Sequence, residues 1–104
     1  YSYAEFSQMK PSAYLINTAR GPLVDESALA HAILNKQIAG AASDVAATEP
    51  LSANSPLIPL LDCPNFILTP HVAWASDESL NQLCQQLVTN IDAFYLQNPH
   101  NRIV

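Results

Sequence analysis

The sequence predicts an α/β protein with a parallel sheet of about three strands and a long C-terminal helix. Three short apolar runs, at residues 13–16, 38–45 and 65–69, each end at or just before polar or charged residues. A segment with helical periodicity separates the first two runs, and a longer one follows the third. Because right-handed crossovers join consecutive strands of such sheets, we expect the strands to be parallel.

The composition favours a single protein domain that binds neither nucleic acid nor membranes. Of 104 residues, 49% are hydrophobic and 12% charged, and the net charge is −5. The sparse charge indicates a large buried fraction, or surfaces that further protein covers. The four Lys and Arg residues are scattered, without the basic stripe that phosphate backbones require. With no membrane-spanning run and no signal peptide, a soluble cytoplasmic protein is expected.

The N-terminal third is expected to form a helix, a strand and a second helix. Ser2 is a suitable N-cap for a helix over residues 3–9, which ends before Pro11. Residues 13–16 are apolar without alternation, which is typical of an internal parallel strand covered on both faces. Asp25 then caps a helix whose buried face contains three aliphatic side chains. These are Leu29, Ile33 and Leu34.

The middle of the chain is expected to form two strands separated by a long loop. Residues 38–45 predict the second strand, and residues 46–64 contain four prolines, which exclude long regular structure. Within that loop, residues 57–61 are apolar and should pack against the core. Residues 65–69 predict a third strand, which Pro70 ends.

The last helix has the strongest periodic signal. Ser76 is its predicted N-cap, Asp77 and Glu78 suit its first turn, and residues 98–99 end it. Its apolar residues recur at steps of three and four, so this helix is expected to dock on another surface. They are Leu80, Leu83, Cys84, Leu87, Val88, Ile91, Phe94 and Tyr95.

Candidate functional residues follow each predicted strand. Arg20 comes after the first, Asp44 and Glu49 after the second, and His71 after the third. Ligands of open α/β sheets bind at the carboxyl ends of the strands, so these side chains are expected at one rim. Spacing alone also allows structural roles: a solvated arginine, a carboxylate that caps a turn or lies at the surface, and a loop histidine.

An arginine, a carboxylate and a histidine suit the interconversion of 2-keto and 2-hydroxy acids. Arginine binds a carboxylate through two parallel hydrogen bonds. Histidine exchanges a proton near neutral pH, and an adjacent carboxylate orients it. The hydride must come from a cofactor.

Metal and hydrolase chemistry are less well supported. His31, His71 and His100 lack the spacing of metal ligands, and Cys63 and Cys84 form no C-x-x-C pair, so no metal is predicted. Both cysteines are expected to be free thiols. The sequence has no G-x-S-x-G nucleophile elbow.

Four ordered segments resemble the signatures of the D-isomer-specific 2-hydroxyacid dehydrogenases. They are residues 16–25 (INTARGPLVD), 39–45 (AGAASDV), 49–50 (EP) and 68–74 (LTPHVAW). The resemblance covers almost the whole chain and implies the C-terminal half of a Rossmann-like doubly wound sheet. The last segment looks most like members that are glycerate dehydrogenases or hydroxypyruvate reductases.

The resemblance also implies roles for single residues. Arg20 matches the family's catalytic arginine, His71 its general acid/base, and Glu49 the carboxylate that supports the histidine. NAD is the implied cofactor, with NADP as the alternative. The implied cofactor contacts are Thr18, Ala19, Arg20, Asp44, His71, Val72, Ala73 and Trp74.

The sequence also departs from the family pattern. Its two glycines, Gly21 and Gly40, cannot form a G-x-G-x-x-G loop. Residues 1–104 are therefore expected to be a partial NAD-binding domain, without the glycine-rich loop and the substrate domain, and inactive or nearly so in isolation. The absence of an initial methionine fits a truncated chain.

Three functions are carried forward from the sequence. The first is a fragment of an NAD(P)-dependent dehydrogenase for a small 2-hydroxy acid, similar to glycerate, in a homodimer. The second is a corepressor-like binding protein that NAD regulates without catalysis. The third is an inactive structural fragment that self-associates through the free edge of its first strand.

Overall fold

The chain forms two compact units in the computed structural model, which describes residues 1–98, 100, 101 and 103. The first unit comprises residues 1–72 and the second begins at residue 73. Among the described residues, no helix is long and apolar enough to cross a membrane.

The first unit contains two helices, three strands and two short 3₁₀ turns. The 3₁₀ turns are Gly21–Leu23 and Ile58–Leu60. In chain order the helices and strands are α1 (Tyr3–Gln8), β1 (Tyr14–Asn17), α2 (Glu26–Leu34), β2 (Gly40–Ser43) and β3 (Phe66–Leu68).

The three strands form one parallel sheet in the order β1-β2-β3. Leu15 of β1 is in register with Ala41 of β2, and Ala41 with Phe66 of β3. These three side chains share the buried face of the sheet. The predicted α/β class with about three parallel strands is therefore confirmed.

The prediction that the first strand is internal and covered on both faces is wrong for this chain. In the sheet described here, β1 is an edge strand that pairs with β2 alone. Its residues alternate between exposed and buried, with Tyr14 69% and Ile16 73% exposed. An apolar run indicates which side chains tolerate burial, but the number of strands beside it depends on the rest of the sheet.

The core lies between the buried face of the sheet, the two helices and the 3₁₀ turn that follows β2. Phe6, Ile38, Leu57 and Leu60 are its largest fully buried side chains. Leu57 and Leu60 confirm part of the packing predicted for residues 57–61, since residues three apart share one face of a 3₁₀ turn. The remaining apolar residues predicted to be buried there and on α2 are exposed: Ile58, Leu61 and Leu34.

The N-terminus of α2 is fixed by the predicted N-cap. The Asp25 carboxylate accepts hydrogen bonds from the backbone N–H groups of Ser27 and Ala28, each at 3.0 Å. Hydrogen bonds lower the pKa of Asp25: the bond from the Ala28 N–H has the largest effect, and those from Ser2 and Ser27 have smaller effects. This cap places Glu26 in the first turn of α2, next to the loop that follows β2.

The second unit contains α3 (Asp77–Tyr95), whose N-cap Ser76 accepts a hydrogen bond from the Ser79 N–H at 3.1 Å. Leu83, Leu87 and the other large apolar side chains of the predicted stripe are exposed. The docking of this stripe thus stays a prediction. The predicted end of the helix at residues 98–99 lies partly outside the described residues. Cys63 and Cys84 are free thiols, as predicted.

Candidate active site

The loop after β1 is organised by Asn17, the last residue of the strand. The buried Asn17 side chain accepts a hydrogen bond from the Ala19 N–H at 3.1 Å and donates one to the Arg20 carbonyl at 3.0 Å. The Arg20 guanidinium donates to the Ala19 carbonyl at 2.7 Å. No role for Asn17 was predicted from the sequence. A polar residue at the inward end of a buried strand is the signal that could have identified it.

Gly21 allows the loops after β1 and β2 to meet. A Cβ atom at this position would lie 2.1 Å from the Ala46 carbonyl carbon and 2.4 Å from the Ala47 nitrogen. These distances are far shorter than any real Cβ contact, so only glycine fits without moving the backbone. The residue after Arg20 therefore lies directly against the loop that carries Glu49.

Glu49 and His71 form a hydrogen-bonded pair at the carboxyl edge of the sheet. The His71 Nδ1 lies 2.7 Å from one Glu49 carboxylate oxygen, and the other oxygen accepts from the Ala46 N–H at 2.9 Å. Both side chains are partly exposed, His71 by 41% and Glu49 by 39%. A histidine held at Nδ1 presents Nε2 as the ring atom for proton transfer.

Three groups lower the pKa of Glu49. The hydrogen bond from His71 has the largest effect, the Ala46 N–H comes next, and the nearby charges of His71 and Arg20 add to them. Desolvation opposes the shift and has a larger effect than either of the two charges. The effect of the Arg20 charge is the smallest of these, and the two residues follow different strands.

Asp44 fixes the segment that carries His71. One oxygen of this buried carboxylate accepts hydrogen bonds from the Thr69 hydroxyl at 2.5 Å and from the Val72 N–H at 3.0 Å. Between these two contacts, His71 has a φ of 58°, in the left-handed region that non-glycine residues rarely occupy. The two hydrogen bonds flank the strained residue and stabilise its backbone conformation.

A cleft of about 590 Å³ opens between the loops after β2 and β3. Its polar groups are Asp44, Glu49, Thr69 and His71. Its apolar walls are Ala46, Pro50, Leu51, Leu68 and Pro70. The cleft therefore combines a hydrogen-bonded carboxylate–imidazole pair with an apolar surface.

Comparison with known proteins gives the family. The family description "D-isomer specific 2-hydroxyacid dehydrogenase, NAD binding domain" matches residues 1–73. The chain belongs to this family. The glycerate dehydrogenase of Methylorubrum extorquens is 50% identical over 97 residues, and a putative 2-hydroxyacid dehydrogenase of Haemophilus influenzae is 47% identical over 92 residues. These matches cover 93% and 88% of the chain but only 31% and 29% of the two relatives.

Solved structures of dehydrogenases and reductases share the fold. An acyclic imino acid reductase in complex with NADPH and D-Arg superposes with a TM-score of 0.82 at 37% identity, over 98% of this chain and 31% of that one. The NAD-complexed D-isomer specific 2-hydroxyacid dehydrogenase of Lactobacillus delbrueckii ssp. bulgaricus gives 0.80 at 31% identity, over 100% and 34%. The predicted family and Rossmann-like fold class are confirmed. The predicted cofactor is confirmed at the level of this NAD-binding family.

The structure of this member of the family brings some of the predicted site residues together. Asp44, Glu49 and His71 line one cleft, and Val72 contacts Asp44 through its N–H. Thr18 and Ala19 line a different groove of about 410 Å³ beside β1, and neither set of lining residues includes Arg20. The predicted cofactor contacts Ala73 and Trp74 belong to the second unit.

Two further residues support the site and were not predicted from the sequence. Thr69 bonds to Asp44, and Glu26 accepts hydrogen bonds from Ala47 and Ser55 on either side of Glu49. Both join positions that are more than 20 residues apart, which local patterns do not reveal. Among the described residues, no three His, Cys, Asp or Glu side chains are grouped to hold a metal ion.

Proposed function

We propose that the protein transfers a hydride between NAD(P)H and a small 2-keto acid, with a substrate similar to hydroxypyruvate or glycerate. The observation that carries this proposal is the contact of 2.7 Å between Glu49 and His71, with the Arg20 charge nearby, in a chain of the 2-hydroxyacid dehydrogenase family. The 50% identity to a glycerate dehydrogenase supports the substrate class.

The residues of the cleft fit the nicotinamide end of the cofactor. The ring is flat and largely apolar, and its carboxamide donates hydrogen bonds. The cleft offers apolar walls such as Leu51 and Leu68 and the carboxylate of Asp44. When bound, the dinucleotide supplies the hydride. We propose that its contacts are the residues identified by the family resemblance: Thr18, Ala19, Arg20, Asp44, His71, Val72, Ala73 and Trp74.

His71 is the proposed general acid/base. Glu49 accepts the hydrogen bond from Nδ1 and thereby fixes the orientation of the ring. In keto acid reduction the protonated Nε2 donates its proton to the carbonyl oxygen. In the reverse direction, neutral Nε2 accepts the hydroxyl proton.

Arg20 is the proposed binding residue for the substrate carboxylate. Its planar guanidinium can donate two parallel hydrogen bonds to a carboxylate, and its positive charge polarises the adjacent carbonyl. The groups that hold it at the rim are Asn17, which fixes the loop backbone, and Gly21, which allows contact with the next loop.

The proposed biological setting follows from the same family assignment. The chain spans 31% of the length of the glycerate dehydrogenase and 29% of the putative 2-hydroxyacid dehydrogenase. We propose that it contributes part of an NAD-binding domain to a cytoplasmic homodimeric dehydrogenase. Its partners are then a small substrate and a second copy, without nucleic acid or membrane.

Steady-state kinetics of the full-length gene product test the proposed function. We expect NADH or NADPH oxidation that depends on hydroxypyruvate or glyoxylate and stops when the keto acid is omitted. Tight NADH binding without turnover of any 2-keto acid contradicts the proposal and favours the corepressor-like alternative. In that case, replacement of His71 leaves the biological activity unchanged.

A further inference from the structure

We propose that Glu26 is a positioning residue that holds both ends of the segment carrying Glu49 and thereby aligns the Glu49 carboxylate with the His71 imidazole. The inference rests on the proposed function of the Glu49–His71 pair. It adds a residue from outside the cleft, in the first turn of α2.

The Glu26 carboxylate contacts both sides of Glu49 in the sequence. One oxygen accepts a hydrogen bond from the Ala47 N–H at 2.6 Å, and the other accepts from the Ser55 hydroxyl at 3.0 Å. Ser55 also accepts from the Leu57 N–H at 3.1 Å, where the chain enters the buried core. A single side chain thus connects α2 to both ends of the segment 47–55.

Adjacent backbone amides connect Glu26 to the candidate active site. The Ala47 N–H donates to Glu26, while the preceding Ala46 N–H donates to Glu49 at 2.9 Å. The planar peptide unit between residues 46 and 47 contains the Ala47 N–H and the Ala46 Cα atom, so an anchor on Ala47 fixes the atom from which the Ala46 N–H group extends. Only the two backbone dihedral angles of Ala46 separate the two N–H groups. The second oxygen of Glu49 then lies 2.7 Å from His71 Nδ1.

Other contacts hold the backbone on both sides of the hydrogen bond between Glu26 and Ala47. The Asp25 cap bonds to the Ser27 and Ala28 N–H groups and so fixes the turn in which Glu26 lies. Gly21 packs directly against Ala46 and Ala47. The backbone at residues 46–47 therefore contacts both the loop after β1 and the Glu26 carboxylate.

A general effect of an acidic residue at a helix N-terminus is the competing explanation. Such residues stabilise helices through their charge alone. The positioning role depends instead on the length of the side chain and on its two acceptor atoms. A matched pair of variants separates the two explanations.

The pair is Glu26→Asp and Glu26→Gln in the full-length gene product. Aspartate keeps the charge but is one methylene too short to reach Ala47 and Ser55. Glutamine loses the charge but keeps the length: its oxygen accepts from Ala47, and its amide donates to the Ser55 hydroxyl. Ser27→Ala, an exposed position in the same turn, is the control.

The first readout is the pKa of Glu49, which carboxyl NMR of ¹³C-labelled glutamate measures. The charged and titratable groups brought near Glu49 by the loops and α2 are Arg20, Asp44, Glu26 and His71. We expect Glu26→Asp to raise the pKa of Glu49 towards its ordinary value, because the hydrogen bonds from Ala46 and His71 weaken. Ser27→Ala should leave it unchanged, and Glu26→Gln should not raise it, because glutamine preserves the hydrogen bonds and removes a like charge.

The second readout is turnover. We expect Glu26→Asp to lower kcat by about tenfold while KM for the coenzyme stays constant, because small misplacements of catalytic groups are costly. Glu26→Gln should remain within about twofold of the wild type, since it preserves the geometry.

The outcomes separate this inference from the proposed function. An unchanged Glu49 pKa in Glu26→Asp overturns the positioning role. A larger effect on these two readouts in Glu26→Gln than in Glu26→Asp overturns it as well. A pKa shift in Glu26→Asp without any dehydrogenase activity in the wild type keeps the positioning role and rejects the proposed function. If Glu26→Asp does not fold, Ser55→Ala and Glu26→Gln decide the question. The inference is overturned if Ser55→Ala has the wild-type Glu49 pKa and kcat while Glu26→Gln is impaired in both.

Discussion

The hydrogen bond from His71 makes the charge of Glu49 persist to lower pH. Because the folded protein lowers the pKa of Glu49 below its ordinary value of 4.5, folding favours the ionised form. The stability contributed by this group is present above about pH 4.5, the ordinary value for an unfolded chain, and is lost as the pH falls through the lower folded value.

Removal of the imidazole tests the cause of that shift. We expect His71→Gln to raise the pKa of Glu49, since the largest contribution disappears, and to leave the smaller effect of the Ala46 N–H. Carboxyl NMR titration measures the change, with Glu49→Gln to assign the signal. An unchanged Glu49 pKa in His71→Gln would show that the two side chains are not paired in solution.

The proposed acid/base role predicts a large loss of turnover at His71. General acid/base groups contribute about 10²- to 10⁴-fold to the rate, so His71→Gln should lower kcat by that factor. NADH binding should weaken far less than kcat falls, because His71 is only one of the proposed cofactor contacts. His31→Gln, an exposed histidine on α2, is the matched control and should leave kcat unchanged. Steady-state kinetics and fluorescence titration with NADH measure both effects. A full-rate His71→Gln enzyme would refute the mechanism.

The Thr69 hydroxyl is predicted to stabilise the turn that carries His71. Thr69→Val keeps the shape of the side chain but removes the donor to the buried Asp44 carboxylate. A hydrogen bond to a charged group contributes about 1.5–3 kcal/mol, so Thr69→Val should lower the free energy of unfolding by that amount. Thr69→Ser keeps the hydroxyl and should be much closer to the wild type. Urea unfolding compares the three proteins, and equal losses in both variants would exclude the hydrogen bond as the cause.

At the scale of the elements, local signals predicted helix ends better than burial. Asp25 and Ser76 cap α2 and α3 as predicted, because an N-cap depends on backbone N–H groups only two or three residues away. Leu34 and Leu61 were expected in the core and are exposed. Their burial depends on which neighbouring element covers them, and apolar periodicity carries no information about that neighbour.

The same difference between local signals and contacts with distant residues applies to the candidate site. The rule that strands end at one rim, together with the family resemblance, predicted Glu49 and His71 as partners, and the structure places them in contact. Asn17, Glu26 and Thr69 were not predicted as part of the site. Their contribution depends on hydrogen bonds to particular backbone and side-chain atoms, which become visible only when the loops are folded.

The turn after β2 offers a matched test of burial. Leu60 is fully buried and Leu61 is 49% exposed. Leu60→Ala should lower the free energy of unfolding by about 2–5 kcal/mol, because the substitution leaves a cavity in a packed core. Leu61→Ala should change it by no more than about 0.5 kcal/mol, as is usual for surface substitutions. Chemical denaturation measures both, and similar losses would mean that the turn is oriented differently.

At the scale of the whole molecule, apolar surface is exposed in both units. Tyr14, Ile16 and Ile67 are exposed on the sheet, and Leu83 and Phe94 on α3. This agrees with the low charge content of the sequence, which indicated surfaces that further protein covers. The chain spans about a third of the length of its relatives, so such cover is expected from segments corresponding to the rest of those proteins or from a second copy.

The isolated chain is predicted to be inactive although it contains Arg20, Glu49 and His71. Its two glycines cannot form a glycine-rich pyrophosphate loop, so most of the cofactor affinity should be missing. Holding both reactants together accounts for roughly 7–11 kcal/mol of catalysis in well-oriented reactions, and a chain that binds the cofactor weakly loses this contribution. Assays of the 104-residue chain with hydroxypyruvate and NADH should show no turnover, with the full-length gene product as the control. A kcat of about 1–10³ s⁻¹ for the chain alone, the range of ordinary enzymes, would mean that these residues suffice for cofactor binding and catalysis.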